Sequence, residues 1–214
     1  MMPRLVEVVV AAPLTAWRGI GLDVDDEGCC RIGEVGLRVV APGDAGTTGI
    51  VGWTIALDPD DSGRGSADTI DGVPVTLVGF DSDPVPTSWP SVHPVGAVRF
   101  DHLVLFTDDL DRTCAAVTDA TGADLRRVRE AGPVRQGFHR LGEVILEVVE
   151  TADAGACGAR FWGLVIVVDD VDAACDRLGP SVIGVPRDAV QPGRRIASFR
   201  RDADLGLPVA LMTR

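Results

Sequence analysis

Short apolar runs closed by glycine, proline or acidic residues recur along the chain, the pattern of strands joined by tight turns. In the first third they are Val6 to Ala11, Cys30 to Val40, Ile50 to Leu57 and Val73 to Val78, with a short turn or helix around Leu14 to Gly21. Further on they are Phe100 to Phe106, Ala123 to Arg129, Val134 to Arg140, Val144 to Val149, Phe161 to Val168, Ile183 to Pro186, Arg194 to Arg200 and Val209 to Met212. Two stretches follow a helical spacing instead: Leu110, Cys114 and Val117, and Val171, Cys175 and Leu178, each recurring at i, i+4 and i+7. Both predict a helix with one buried stripe that takes its cysteine into the core. Asp108-Asp109 and Asp169-Asp170 stand just before them, where carboxylates cap free N–H groups and meet the positive end of the helix dipole. Gly122 and Gly179 supply the stops.

The runs repeat one another. Ile32-Gly33-Glu34-Val35-Gly36-Leu37-Arg38-Val39-Val40 matches Leu141-Gly142-Glu143-Val144-Ile145-Leu146-Glu147-Val148-Val149 at six of nine positions. Asp71 to Val78 echoes Leu205 to Met212, and Phe100 to Asp111 lines up with Phe161 to Asp172. The expected fold is therefore α+β: tandem βαβββ modules, complete in the C-terminal half and present as a degenerate, helix-poor copy in the N-terminal half. A loop, Asp58 to Gly65, stands where the last helix of that copy would fall. Pro84, Pro86, Pro90 and Pro94 make residues 81–97 an extended linker, so the expected domains are 1–80 and 98–214, with Trp89 docking the linker on a domain surface.

Composition narrows the chemistry. A formal net charge of −12 without a basic block argues against nucleic acid and membrane surfaces and leaves small molecules as partners. The chain has no lysine and no tyrosine, which excludes a Walker phosphate loop and a lysine Schiff base. Five cysteines, two of them adjacent at Cys29 and Cys30, show no disulfide framework and no CxxC clamp, and fit a reducing cytoplasm. The apolar run Leu5 to Leu14 contains Glu7 and Pro13 and reads as neither a signal peptide nor a membrane span. A homo-oligomer is compatible with all of this.

A tandem βαβββ repeat with a histidine early in the first strand and a glutamate in the last strand of that module resembles the vicinal oxygen chelate superfamily, which includes glyoxalase I, extradiol dioxygenases, fosfomycin-resistance enzymes and bleomycin-binding proteins. The phrases FDHLVLFTDDLD and LGEVILEVV carry the likeness. In such proteins two modules curl around a cavity, and residues on strands one and four of each hold a divalent metal. Carried over, those places are His102, Glu147, Gly163 and Leu211; only His102 and Glu147 can bind a metal (Zn, Ni, Mn or Fe), so the ligand set is incomplete. In the N-terminal copy the places are Glu7, Arg38, Gly52 and Leu77, with Glu7 and Arg38 expected as an ion pair filling the vacated site.

Strand alternation places His102 with Val104 and Phe106, and Glu147 with Ile145 and Val149. If those faces line a cavity, a His and a Glu meet among apolar side chains, and the pair can act as ligands or as general base and orienter. Trp162 at the start of a strand and Arg195 in the turn Gln191 to Arg195 are further candidates for substrate contact. His93 and His139 read as surface or loop residues, His139 being a spare ligand candidate. Two readings follow: a lyase- or isomerase-type enzyme acting on a small oxygenated metabolite through Glu147 and His102, or a metal-free small-molecule binding protein of the drug-resistance kind with an apolar cavity.

Overall fold

The structure, a computed structural model, describes residues 2–43, 46–58, 67–82, 85–132, 134–152 and 158–214. Its elements in chain order are β1 (Arg4–Ala11), α1 (Leu14–Gly19), β2 (Cys29–Ile32), β3 (Val35–Val40), β4 (Gly49–Leu57), β5 (Thr69–Ile70), β6 (Val73–Pro74), β7 (Thr76–Gly79), β8 (Ala97–Thr107), α2 (Leu110–Thr121), β9 (Arg127–Ala131), β10 (Val134–Leu141), β11 (Val144–Glu150), β12 (Arg160–Val168), α3 (Val171–Leu178), β13 (Arg187–Asp188), β14 (Arg195–Ser198) and β15 (Val209–Met212). The C-terminal half is βαβββ twice. The expected loop at Asp58 to Gly65 lies, from Pro59 onward, outside the described residues. By contacts the chain divides into two compact units: Met1–Val8, Val51–Pro84 and His102–Trp162 in the first, and Val9–Ile50, Val85–Asp101 and Gly163–Arg214 in the second.

In the first unit β8, β11, β10 and β9 lie side by side in that order. β11 runs parallel to β8, with Ile145 opposite His102, Glu147 opposite Val104 and Val149 opposite Phe106. β10 is antiparallel to both β11 and β9. One face of these strands carries Leu103, Leu105, Leu146 and Val148, all fully buried, and α2 packs against β10 and β11. Gly137 permits that approach: a Cβ there would stand 2.6 Å from the Cys114 sulfur. The helix begins as its sequence dictates, the Asp109 carboxylate accepting from the Arg112 N–H at 2.9 Å, and ends at Gly122 with φ 75°. The β5–β6 hairpin docks on this helix start through Asp71, which takes the Arg112 guanidinium at 2.9 and 3.2 Å.

The second unit repeats the plan with β12, β15, β14 and β13 in order, β12 and β15 being parallel. Asp170 caps α3, accepting from Asp172 and Ala173 N–H at 2.9 and 3.0 Å. Asp101 is buried and holds Arg194 at 2.8 Å, while Arg194 also donates twice to the Thr213 carbonyl. In the proline-rich segment Val85 is buried and Trp89 lies against Gly36 under the Arg38 guanidinium.

Three readings change. β9 begins at Arg127 rather than Ala123, because Ala123 is used in the helix exit, its carbonyl accepting from Thr118 and its N–H bonded to Thr121. Ile183 makes only an isolated bridge to Phe199, and the strand there is the two residues of β13. His93 and His139 are buried, not superficial. His93 accepts from the Asp23 N–H and bonds the Arg31 carbonyl at 2.7 Å, which ties the loop at Asp23 to β2. His139 bonds the Ala123 carbonyl through Nδ1 at 2.9 Å, and its buried Nε2 has no hydrogen-bond partner among the described residues.

Burial lowers the pKa of both imidazoles from 6.5, so the fold resists their protonation. The unfolded chain then binds more protons just below that value, and stability falls as pH drops through 6.5 toward the folded-state pKa. Thermal melts from about pH 8 to about pH 5.5 should show Tm declining below the histidine range, less steeply in His139→Met. A flat profile would contradict it.

Candidate functional site

The face of β8, β11, β10 and β9 turned away from α2 collects the chemistry of the first unit. Alternation brings His102, Val104 and Phe106 of β8 together with Ile145, Glu147 and Val149 of β11. The register of β10 adds Gln136 and Phe138, and that of β9 adds Arg129, opposite Gln136. Val104 and Val149 are buried, Ile145 half-buried, so the polar groups stand in an apolar setting.

His102 Nε2 lies 3.9 Å from Glu147 Oε2, with side-chain exposures of 14% and 17%. The other carboxylate oxygen is tied: Gln136 Nε2 donates to Glu147 Oε1 at 2.6 Å. Burial raises the Glu147 pKa above the ordinary 4.5, opposed by the neighbouring His102 and Arg129 charges and the Gln136 hydrogen bond. The carboxylate is therefore a stronger base than an exposed one, with one oxygen anchored and the other turned to the imidazole. Gln136 Oε1 is buried and, among the described residues, has no hydrogen-bond partner, an acceptor on the same strand face. Sequence reasoning missed Gln136; its parity with Phe138 on β10 was the available signal.

Trp162 stacks on Phe106, ring centroids 5.2 Å apart and planes 15° from parallel, and the Arg160 guanidinium lies 5.4 Å from the Phe106 centroid. Phe106 stands two residues beyond Val104, the partner of Glu147, so the aromatic pair flanks the carboxylate along the strands. Trp162 is 43% exposed. Arg195 is placed elsewhere: in the second unit it pairs with Asp172 on α3 and donates to the Pro186 carbonyl.

In the second unit Gly163 lies against Pro208, and a Cβ on it would stand 2.5 Å from the Pro208 oxygen. Leu211 pairs with Ile166, so it points to the opposite face; Ala210, opposite Val165, is the residue on the side of Gly163. That side carries Val165, Ala210 and Met212 packed with Ile196 and Ala189. Neither Ala210 nor Leu211 offers a metal ligand. Among the described residues no group of three His, Cys, Asp or Glu side chains converges, and His102 with Glu147 supplies only two donors, one carboxylate oxygen already engaged. This donor set does not fit a resident divalent metal, which needs at least three protein ligands in a catalytic site of the zinc kind.

Residues 99–199 match the model of the Glyoxalase/Bleomycin resistance protein/Dioxygenase superfamily. Among solved structures the chain is similar to a mutant 4-hydroxymandelate synthase from Streptomyces coelicolor, at 14% identity and TM-score 0.64, over 99% of this chain and 92% of that one. It is also similar to methylmalonyl-CoA epimerase from Mycobacterium tuberculosis, at 19% identity and TM-score 0.46, over 55% of this chain and 89% of that one. No protein of curated function matches it. Among the described residues no helix is long and apolar enough to cross a membrane.

Proposed function

We propose that the chain, whose residues 99–199 match the model of the Glyoxalase/Bleomycin resistance protein/Dioxygenase superfamily, is an enzyme of the lyase or isomerase type whose chemistry is proton transfer by Glu147 and His102 on a small oxygenated molecule. The observation that carries the reading is a desolvated carboxylate of raised pKa facing an imidazole at 3.9 Å. Glu147 Oε2 takes a proton from carbon next to a carbonyl; burial favours this, because the protonated acid is the form the site prefers. His102 hydrogen-bonds the oxygen on which negative charge develops. Gln136 holds Glu147 in orientation, and its free Oε1 accepts from a hydroxyl of the substrate. No step passes through a metal.

The experiment is proton exchange. Small 2-oxo, 3-oxo and 2-hydroxy acids are incubated with the protein in D2O and followed by NMR. Loss of an α-proton signal with the native chain, and not with Glu147→Gln, supports the enzyme. A second reading, sequestration of a small molecule, is favoured by the exposed Trp162 stacked on Phe106, a platform for a flat apolar ligand. Saturable binding without exchange for any member of the panel would select it.

A further inference from the structure

The two modules of the C-terminal half differ sharply at one turn. Between β10 and β11 the chain reverses through Gly142 and Glu143 alone, as it does through Gly33 and Glu34 between β2 and β3, with both glycines at φ 66°. Between β14 and β15 the matching connection runs from Phe199 to Pro208. It contains a 3-10 turn at Arg201–Ala203, Asp204 in the left-handed region at φ 54°, and Gly206 at φ 79°. Gly206 cannot be replaced there: a Cβ would stand 2.7 Å from the Ala11 carbonyl oxygen. A non-glycine residue held at positive φ costs about 1 kcal/mol or more, and such strain persists where surroundings hold it.

This connection, with Thr48, encloses a cavity of about 400 Å³, within the size range of small-molecule sites. Phe199 and Leu205 give it an apolar wall, and Arg200, Arg201 and Asp204 give it charge. Two guanidiniums against one carboxylate invert the sign of a chain whose net charge is −12. Arg200 is held by its Nε bond to the Pro180 carbonyl. Among the described residues no ion pair or hydrogen bond engages the Arg201 guanidinium, which is exposed.

We infer that this cavity in the second unit binds a small organic anion, a carboxylate or phosphate carried on an apolar body. The planar guanidinium of Arg201 presents paired donors that match either group, and Arg200 adds a second positive charge. Thr48 offers a hydroxyl, and Phe199 and Leu205 cover the apolar body.

The test is calorimetric titration of the full chain with phenyl phosphate and with benzoate, using benzyl alcohol as the neutral control. Saturable binding of one or both anions but not the alcohol is expected, weakened by about tenfold or more in Arg201→Gln, partly restored in Arg201→Lys, and unchanged in Glu147→Gln. The arm that binds more tightly identifies carboxylate or phosphate. Equal affinity in Arg201→Gln and the native chain, loss of binding in Glu147→Gln, or no binding of either anion would overturn it.

Discussion

Glu147→Gln should abolish nearly all turnover, by about 10²- to 10⁴-fold, the contribution of a positioned general base, while leaving the protein as stable as before or more so. The two effects separate because they have different origins. The amide keeps the size of the side chain and still meets Gln136 and His102, so the packing among Ile145 and Val149 is unchanged. It cannot accept a proton from carbon. The folded-state pKa of Glu147 is raised by burial, so its favourable contribution to folding is present below the unfolded value and is lost as pH climbs through the folded one. At neutral pH the ionised carboxylate thus weighs against the fold, and the amide removes that cost. In the native chain the same shift should move the acidic limb of the proposed activity above 4.5, because only the ionised form is a base. A variant that lost activity and melted far earlier would point to a structural role for Glu147.

Asp101→Ala should destabilise the protein by about 3–5 kcal/mol, the cost of stripping the partner from a buried charge. Asp101 has 3% side-chain exposure and Arg194 17%, their contact is 2.8 Å, and Arg99 stands 3.6 Å away on the same carboxylate. Among the described residues, removing the carboxylate leaves Arg194 bound only to the Thr213 carbonyl. Its guanidinium has no further acceptor among them, and at 17% exposure it meets little water. In Asp101→Ala/Arg194→Met part of the loss should return, because an absent pair costs less than a broken one. Thermal or denaturant unfolding of the two variants measures this, and a single variant no less stable than the double would refute it.

The repeat made the architecture readable before any coordinates, and the reason is physical. The tight turns need a left-handed residue, and the two helices of the C-terminal half start at a carboxylate and stop at a glycine, so Gly33, Gly142, Asp109, Asp170 and Gly122 are visible as types at fixed spacings. Alternation was equally sufficient to put His102 and Glu147 on comparable faces. What it could not supply was register between strands. Gln136 meets Glu147 only because β10 pairs with β11 as it does. A slip of one residue separates Ala210 from Leu211, and with a period of two that slip reverses the face. His93 and His139 were misread for a related cause: polar residues in short connections and strands look exposed until the backbone groups they satisfy are known. The cavity beside Arg201 was hidden because the repeat directs attention to what the modules share, and this connection is where they differ.

The number of metal ions bound by the native chain tests the proton-transfer site most directly. Protein purified without chelator, offered excess Zn, Ni, Mn or Fe(II) and then desalted, should retain less than about 0.1 equivalents of any of them by elemental analysis, since two donors leave most coordination places unfilled. Stoichiometric metal that disappears in both His102→Ala and Glu147→Ala would contradict the two-residue site and make His102 and Glu147 ligands instead.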